Sequence, residues 1–221
     1  MNKPTIDVDA LNAICDTVRG QLSSKDTARD QAVKRSRELI RHCSESIRAI
    51  HRRDWDVADA KLVVVRDFAD EMKQGVAGFP DLYHSGYTQD ALKEVVEAFA
   101  TYAIIRNQAL PTIDSLAVEA STYLKGLAEA ATELRRFILD ILRRADGESD
   151  EAERLLAWMD AIYDQLVTFD FPDAITYGLR RQTDIVRGVL ERTRGDLTMT
   201  LRQQRLQDAL HRFESRVLDD E

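Results

Sequence analysis

Glycine and proline are scarce in this chain, with only 9 and 4 among 221 residues. Ala, Leu, Arg, Glu and Asp dominate instead, and these residues lose little entropy in helices, so long helices with short connections are expected. No segment alternates apolar and polar residues convincingly enough to be a strand, and there is no repeat or low-complexity stretch. Cysteine is nearly absent. Cys15 and Cys43 lie in helical patterns without ligand spacing, which argues for reduced, packed thiols and against a bridge or a zinc site. The longest apolar runs, Leu62 to Val65 and Phe99 to Ile105, fall far short of the ~20 residues that a membrane span requires. Met1 to Ala10 carries one Lys, two Asp and no apolar stretch, so no secretory signal is expected and the protein is placed in the cytoplasm. Also missing are a Gly-rich phosphate loop, any Ser/His/Asp or Cys/His arrangement, and the Glu-x-x-His pattern of di-iron bundles.

What is present suffices for one substantial core. Hydrophobic residues make up 44% of the chain, and the expectation is an all-α fold, a single-domain bundle of about seven helices covering 1–221. Capping and breaking signals place helices at Asp7 to Leu22 (ending near Ser23-Ser24), Asp26 to His51, Asp54 to Gly75, Asp90 to Asn107, Ile113 to Ala145 and Asp150 to Thr168. Asp81 to Gln89 reads as a loop, and Asp146-Gly147 as the stop of the fifth helix. The turn from Phe169 to Asp173 opens the seventh helix, which continues past Arg194.

The net charge of -8 means that any affinity for nucleic acid must come from a local basic surface acting against an unfavourable global field. The second helix offers one. At 100° per residue Lys34, Arg37, Arg41, Arg48 and Arg52 share a stripe, with Ile40, Cys43, Ile47 and Ile50 opposite. Eight Lys/Arg between Arg29 and Arg53 face three acids. The pattern alone suits a solvated face with i,i+4 pairing as well as it suits a polyanion track. Arg180, Arg181, Arg187, Arg192 and Arg194 form a second Arg-rich region.

Two acid pairs are the candidates for chemistry. Glu94 and Glu97 share one face of the fourth helix, which is apolar nearly all round from Val95 onward, so its acids need solvent, basic partners or a cation. Glu129 and Glu133 share the face of the fifth helix opposite its core stripe. Gly126 lies on that side too, and a mid-helix glycine, costing ~1 kcal/mol relative to Ala, suggests that something approaches closely there. If these helices are neighbours, four carboxylates could converge and hold a hard cation, Mg²⁺ or Mn²⁺. Spacing does not by itself bring them together, because such pairs are common on exposed helices.

Four stretches, taken together and in order, resemble the translin superfamily: "DQAVKRSRELIRHCSESIRAIHR", "ALKEVVEAFATY", "TYLKGLAEAATELRR" and "FDFPDAITYGLRRQTDIVRGVLERTRGDL". The resemblance implies a seven-helix protein assembling into a closed, hollow homo-oligomer that binds single-stranded RNA or DNA. Glu94-Val95-Val96-Glu97-Ala98 resembles the catalytic branch, that of translin-associated factor X, whereas translin has apolar residues at those acids. The branch has Asp where this chain has Glu129, a change of about one methylene, and Glu where it has Glu133. The resemblance therefore implies a metal-dependent endoribonuclease with Glu94, Glu97 and Glu129 as catalytic residues, and with those three and Glu133 as ligands of Mg²⁺ or Mn²⁺. It also gives the stripe of Lys34, Arg37, Arg41, Arg48 and Arg52 a nucleic-acid-binding role. The competing expectation is a non-catalytic single-strand binder of the translin type. A self-sufficient member with a modest acid surplus suits an archaeon.

Overall fold

The long helices in the computed structural model, which describes residues 7–143 and 149–219 and the side chains of 7–143 and 150–215, follow from amphipathic patterning with few internal breaks. Among the described residues there are nine helices and no strand. Helix α1 (Val8–His51) is followed by α2 (Trp55–Val76), α3 (Pro80–Tyr83), α4 (Gly86–Ile105) and α5 (Ile113–Leu116). Then come α6 (Ala120–Leu142), α7 (Ser149–Leu166), α8 (Asp173–Thr176) and α9 (Leu179–Asp219). No helix among the described residues is long and apolar enough to cross a membrane.

The expected break at Ser23-Ser24 does not occur. α1 runs through it for 44 residues, about 66 Å at ~1.5 Å per residue. Nothing there forbids the helix: no Pro interrupts it, the helical Gly20 is crowded by nothing within 4 Å of an added Cβ, and the Thr27 hydroxyl bonds back to the Ser23 carbonyl at 3.0 Å, one turn earlier. Asp7 caps the start, accepting from the Ala10 amide at 2.9 Å. Ala32 is the first buried residue of α1, so about half of this helix extends free of the core. Cys15 lies on that half and is exposed, contrary to the expectation of a packed thiol, whereas Cys43 is buried.

Two further boundaries differ for one reason. Ala117 and Tyr177 adopt left-handed backbone, with φ of 49° and 48°, and cut the expected long helices into α5 and α6, and α8 and α9. Neither residue advertises such a conformation. Gly178, with φ of 87°, is the one legible sign beside them. The expected loop at Asp81 to Gln89 is shorter than predicted, because Pro80 begins α3 and Ser85 stands at the N-terminus of α4. Asp146-Gly147 lies outside the described residues.

The helices pack around two apolar clusters. One, among α1, α2 and α4, contains Leu39, Cys43, Val65, Met72, Leu92 and Val96. The other, among α4, α6, α7 and α9, contains Ile104, Leu134, Ile138, Leu155, Met159 and Val186. α4 belongs to both, and twelve of its 20 residues are buried, which is what its nearly continuous apolar surface requires. Arg154 of α7 ties down its end, donating to the Ile104 carbonyl at 2.9 Å while Glu151 holds the guanidinium at 2.7 Å.

The contact that positions everything else is that of α4 with α6. A Cβ on Gly126 would lie 2.5 Å from Val96 Cβ and 2.6 Å from the Lys93 carbonyl oxygen. Only glycine lets the two backbones come this close. Gly126→Ala is expected to destabilise the fold by about 1–3 kcal/mol, read by urea denaturation. Val96→Ala is not expected to rescue it, because the opposing Cβ and carbonyl remain. Gly195, with nothing within 4 Å of its added Cβ, is the control: Gly195→Ala should stabilise by up to ~1 kcal/mol. Equal effects at both glycines would show that the close approach carries no constraint.

Candidate metal centre

The residues adjoining the Gly126 contact are the acids. On α4, Lys93 and Val96 immediately precede Glu94 and Glu97; on α6, Glu129 lies one turn after Gly126. Glu94, Glu97 and Glu129 each contribute a carboxylate oxygen to a group whose members lie within 4.8 Å of one another. Glu97 is the innermost, only 8% exposed. Glu94 and Glu129 border it, partly exposed.

Glu133 sits one turn further along α6, and its carboxylate is taken by a different partner. His51, buried at the end of α1, places Nε2 2.6 Å from Glu133 Oε2. The tautomer that donates from Nε2 leaves Nδ1 an acceptor, and Nδ1 has no hydrogen-bond partner. Three of the four expected acids therefore form the tight group, and the fourth stands beside them, close enough for its charge to act on Glu97.

Lys93, Gln182 and His51 complete the surroundings, and sequence reasoning assigned none of them a part. Lys93 Nζ is 2.7 Å from Glu129 Oε1 and 3.3 Å from Glu94 Oε1. Gln182 of α9 donates to Glu129 at 3.3 Å. Lys93 was legible, since it lies four residues before Glu97 and so on the same helical face. His51 and Gln182 approach from α1 and α9, at separations of 82 and 53 residues from their partners, and no local pattern signals them.

Electrostatics set the character of the group. Burial, followed by the charges of Glu94, Glu129 and Glu133, pushes Glu97 up to about 9 despite Lys93. Burial also raises Glu129, opposed by its bond to Lys93 and that ammonium's charge. Burial lowers Lys93, but the hydrogen bond to Glu129 and the charges of Glu129 and Glu94 outweigh it and leave the ammonium above its ordinary range. Glu133 is held low by the hydrogen bond from His51, against the effect of burial. The Cys43 thiol is raised by burial and then by Glu94 and Glu97, so it stays protonated.

The donor set fits a hard divalent cation. It is all oxygen and lies at a partly open edge of the α4–α6 contact. Three ionised carboxylates against one ammonium leave a surplus of two negative charges, the amount that Mg²⁺ or Mn²⁺ neutralises. Without such a cation, a proton on Glu97 relieves part of the repulsion.

The basic stripe behaves as its wheel position requires, since Lys34, Arg37, Arg41, Arg48 and Arg52 are all exposed. They lie on the outer face of α1, while Leu39, Cys43, Ile47 and Ile50 face the core. In the second Arg-rich region, Arg187 pairs with Asp184 at 2.9 Å and Arg194 pairs with Asp160.

Because the folded-state value of Glu97 lies above its ordinary 4.5, the folded protein keeps a proton that the unfolded chain has lost, and stability falls as pH rises between about 4.5 and 9. Glu97→Gln is expected to flatten this decline. In EDTA at pH 8 it should raise Tm by about 2–4 °C, roughly 1 kcal/mol, with a smaller gain at pH 5. A lower Tm at both pH values would contradict the burial argument.

No family model matches the chain. An uncharacterised protein of Methanocaldococcus jannaschii is 32% identical over 197 residues, which covers 87% of this chain and 85% of that protein. AfC3PO, solved in complex with duplex RNA, aligns with a TM-score of 0.78 at 33% identity, covering 84% of this chain and 95% of that one. A second AfC3PO crystal structure gives the same TM-score and identity and is covered to 96%. Apo-NeC3PO shares the fold, with a TM-score of 0.72 at 20% identity over 90% of this chain and 100% of its own. With a third of its aligned residues identical to AfC3PO over nearly all of that structure, and the fold matched as closely, the chain belongs to the translin superfamily.

Proposed function

We propose that this protein is a divalent-metal-dependent endoribonuclease of the translin-associated factor X branch, acting on single-stranded RNA within a closed homo-oligomer. The observation that carries the reading is the meeting of Glu94, Glu97 and Glu129 within 4.8 Å around a buried carboxylate with an unfavourable negative surplus. Such an arrangement costs stability in a purely structural role.

The three carboxylates are the side chains that would hold Mg²⁺ or Mn²⁺. When bound, the cation supplies an activated water and neutralises charge on the phosphoryl oxygens. The chain's own groups do the rest. Glu133, fixed by His51, keeps a negative charge beside Glu97, and Gln182 restrains the outward Glu129. Lys93 bridges Glu94 and Glu129, and its ammonium would be placed to meet a phosphate drawn to the cation. The exposed stripe of Lys34, Arg37, Arg41, Arg48 and Arg52 adds a nonspecific attraction for the strand that will weaken with salt.

Self-association is supported by uncovered apolar seams. On the free half of α1, Val8, Leu11, Val18 and Leu22 are exposed and, with Cys15, follow the 3-4 spacing of a coiled-coil face. On α9, Met199, Leu206, Leu210 and Phe213 are also exposed. The relative AfC3PO has been solved with duplex RNA, so the strand state of the substrate is part of the test. The free thiols suit a cytoplasmic setting, and the relative from Methanocaldococcus jannaschii suits an archaeal origin.

The second reading is a non-catalytic binder of single-stranded RNA or DNA. One observation favours it: Lys93 already pairs with Glu129 and Glu94, so these acids have a partner without a metal. End-labelled single-stranded and duplex RNA, incubated with the purified protein and Mn²⁺ or Mg²⁺, decide between the two. The catalytic reading expects internal fragments from the single strand, abolished by EDTA and reduced at least 100-fold in Glu97→Gln and Glu129→Gln. RNA that is bound but left intact would establish the binder, and cleavage surviving both substitutions would place the activity at another site or in a contaminant.

A further inference from the structure

The face of α6 that bears Glu129 does not end at the acids. Proceeding by turns, Glu133, Arg136, Asp140 and Arg143 follow on the same side of the helix. At ~1.5 Å per residue, Arg136 lies about 10 Å and Arg143 about 21 Å beyond Glu129. α9 runs alongside and turns Gln182, Thr193, Asp196 and Thr200 toward α6. Between the two helices lies a groove of about 690 Å³ whose lining includes Thr132, Arg135, Arg136, Arg143 and Thr200.

The charges in this groove are not evenly spent. Arg135 is occupied, with Asp196 at 2.8 Å and the Thr193 hydroxyl at 3.1 Å. Arg143 is 82% exposed, and its Asp140 partner is 3.8 Å away, too far for a good hydrogen bond. Arg136 is exposed and forms no salt bridge among the described residues; its charge acts on Glu133. Three guanidinium groups thus face two carboxylates, Asp140 and Asp196, in a protein of net charge -8. A groove lined by one more guanidinium than carboxylate, lying along α6 beyond the acid cluster, suits a ligand that carries several negative charges in a row and presents one of them to a cation.

We propose that the α6–α9 groove is the track along which the RNA backbone leaves the acid cluster, with Arg136 and Arg143 each holding a phosphate on one side of the scissile position. This rests on the nuclease reading and adds to it a binding site distinct from the α1 stripe. Arg136 sits nearer the acids and holds the first phosphate; Arg143 holds one a few nucleotides further on. Thr132 and Thr200 border the groove, their hydroxyls donating to the Glu129 and Asp196 carbonyls at 2.8 and 3.0 Å. These contacts are to the backbone, so they position the strand without selecting its sequence.

The test uses the full-length protein and a fluorescein-labelled single-stranded RNA. Binding is measured in EDTA across a salt series, and cleavage in Mn²⁺. Arg136→Ala/Arg143→Ala is expected to weaken binding about tenfold and to reduce the salt slope by about 1.4, at ~0.7 per phosphate contact on a single strand. In cleavage its KM should rise while kcat is unchanged. Arg136→Lys/Arg143→Lys should retain the slope, and Arg19→Ala/Arg66→Ala, which removes two exposed charges elsewhere, should leave binding near the parent's. If the parent binds and cleaves but the double alanine variant keeps its affinity and slope, the track is wrong and the nuclease reading stands. A parent that neither binds nor cleaves removes both. If size-exclusion chromatography shows that the double variant loses its assembly along with its binding, the groove is a subunit contact and the proposal falls.

Discussion

Between Val96 and Gly126 two helix backbones come closer than any side chain larger than hydrogen permits, and the carboxylates of the candidate centre are carried on residues next to that contact. Lys93, Glu94 and Glu97 cluster around the Val96 turn, and Glu129 lies one turn from Gly126. If α4 and α6 stood apart by the width of a methyl group, the three acids would be less closely grouped and Lys93 would reach Glu129 less well. The same closeness removes water from Glu97, so the contact that builds the group also makes it costly. Burial of apolar surface along α4, which is enclosed by α1, α2 and α6, supplies the offset.

The cost is informative because it is concentrated. Most charged residues of this chain lie at the surface, many in pairs of small net effect. Among the described residues, Glu97 alone combines burial with three neighbouring acids. A structural role would be served as well by an uncharged residue of similar shape, and the fold gains nothing evident from the repulsion. Groups whose environments push their proton affinities far from the ordinary range are concentrated where chemistry is done. The neighbouring Glu133 shows the contrast: one helical turn away, a hydrogen bond from His51 holds it ionised.

How far this was legible in the sequence depends on whether each feature is local. The all-helical fold follows from composition and patterning alone, and Asp7 and Asp54 mark helix starts that the structure keeps. The glycine at 126 announced a close approach without saying to what. Ala117 and Tyr177 hid their left-handed turns because their identities are ordinary, and Ser23-Ser24 looked like a stop but is only a polar turn in a continuous helix. The acid pairs were visible as i,i+3 and i,i+4 spacings; which pair faced which was not. His51 and Gln182 are brought to the acids by packing across more than fifty residues, and no single-helix pattern encodes that. The difference in role between Glu129 and Glu133, four residues apart on one face, is likewise decided by what α1 brings beside the second.

The central claim is that three carboxylates on two helices hold one divalent cation. Crystals grown with Mn²⁺ and measured at a wavelength where manganese scatters anomalously test it most directly. The account requires a peak among the Glu94, Glu97 and Glu129 carboxylates, with the Lys93 ammonium displaced from Glu129 or held beside the ion. A map with no peak there, and Lys93 still seated on Glu129, would contradict it.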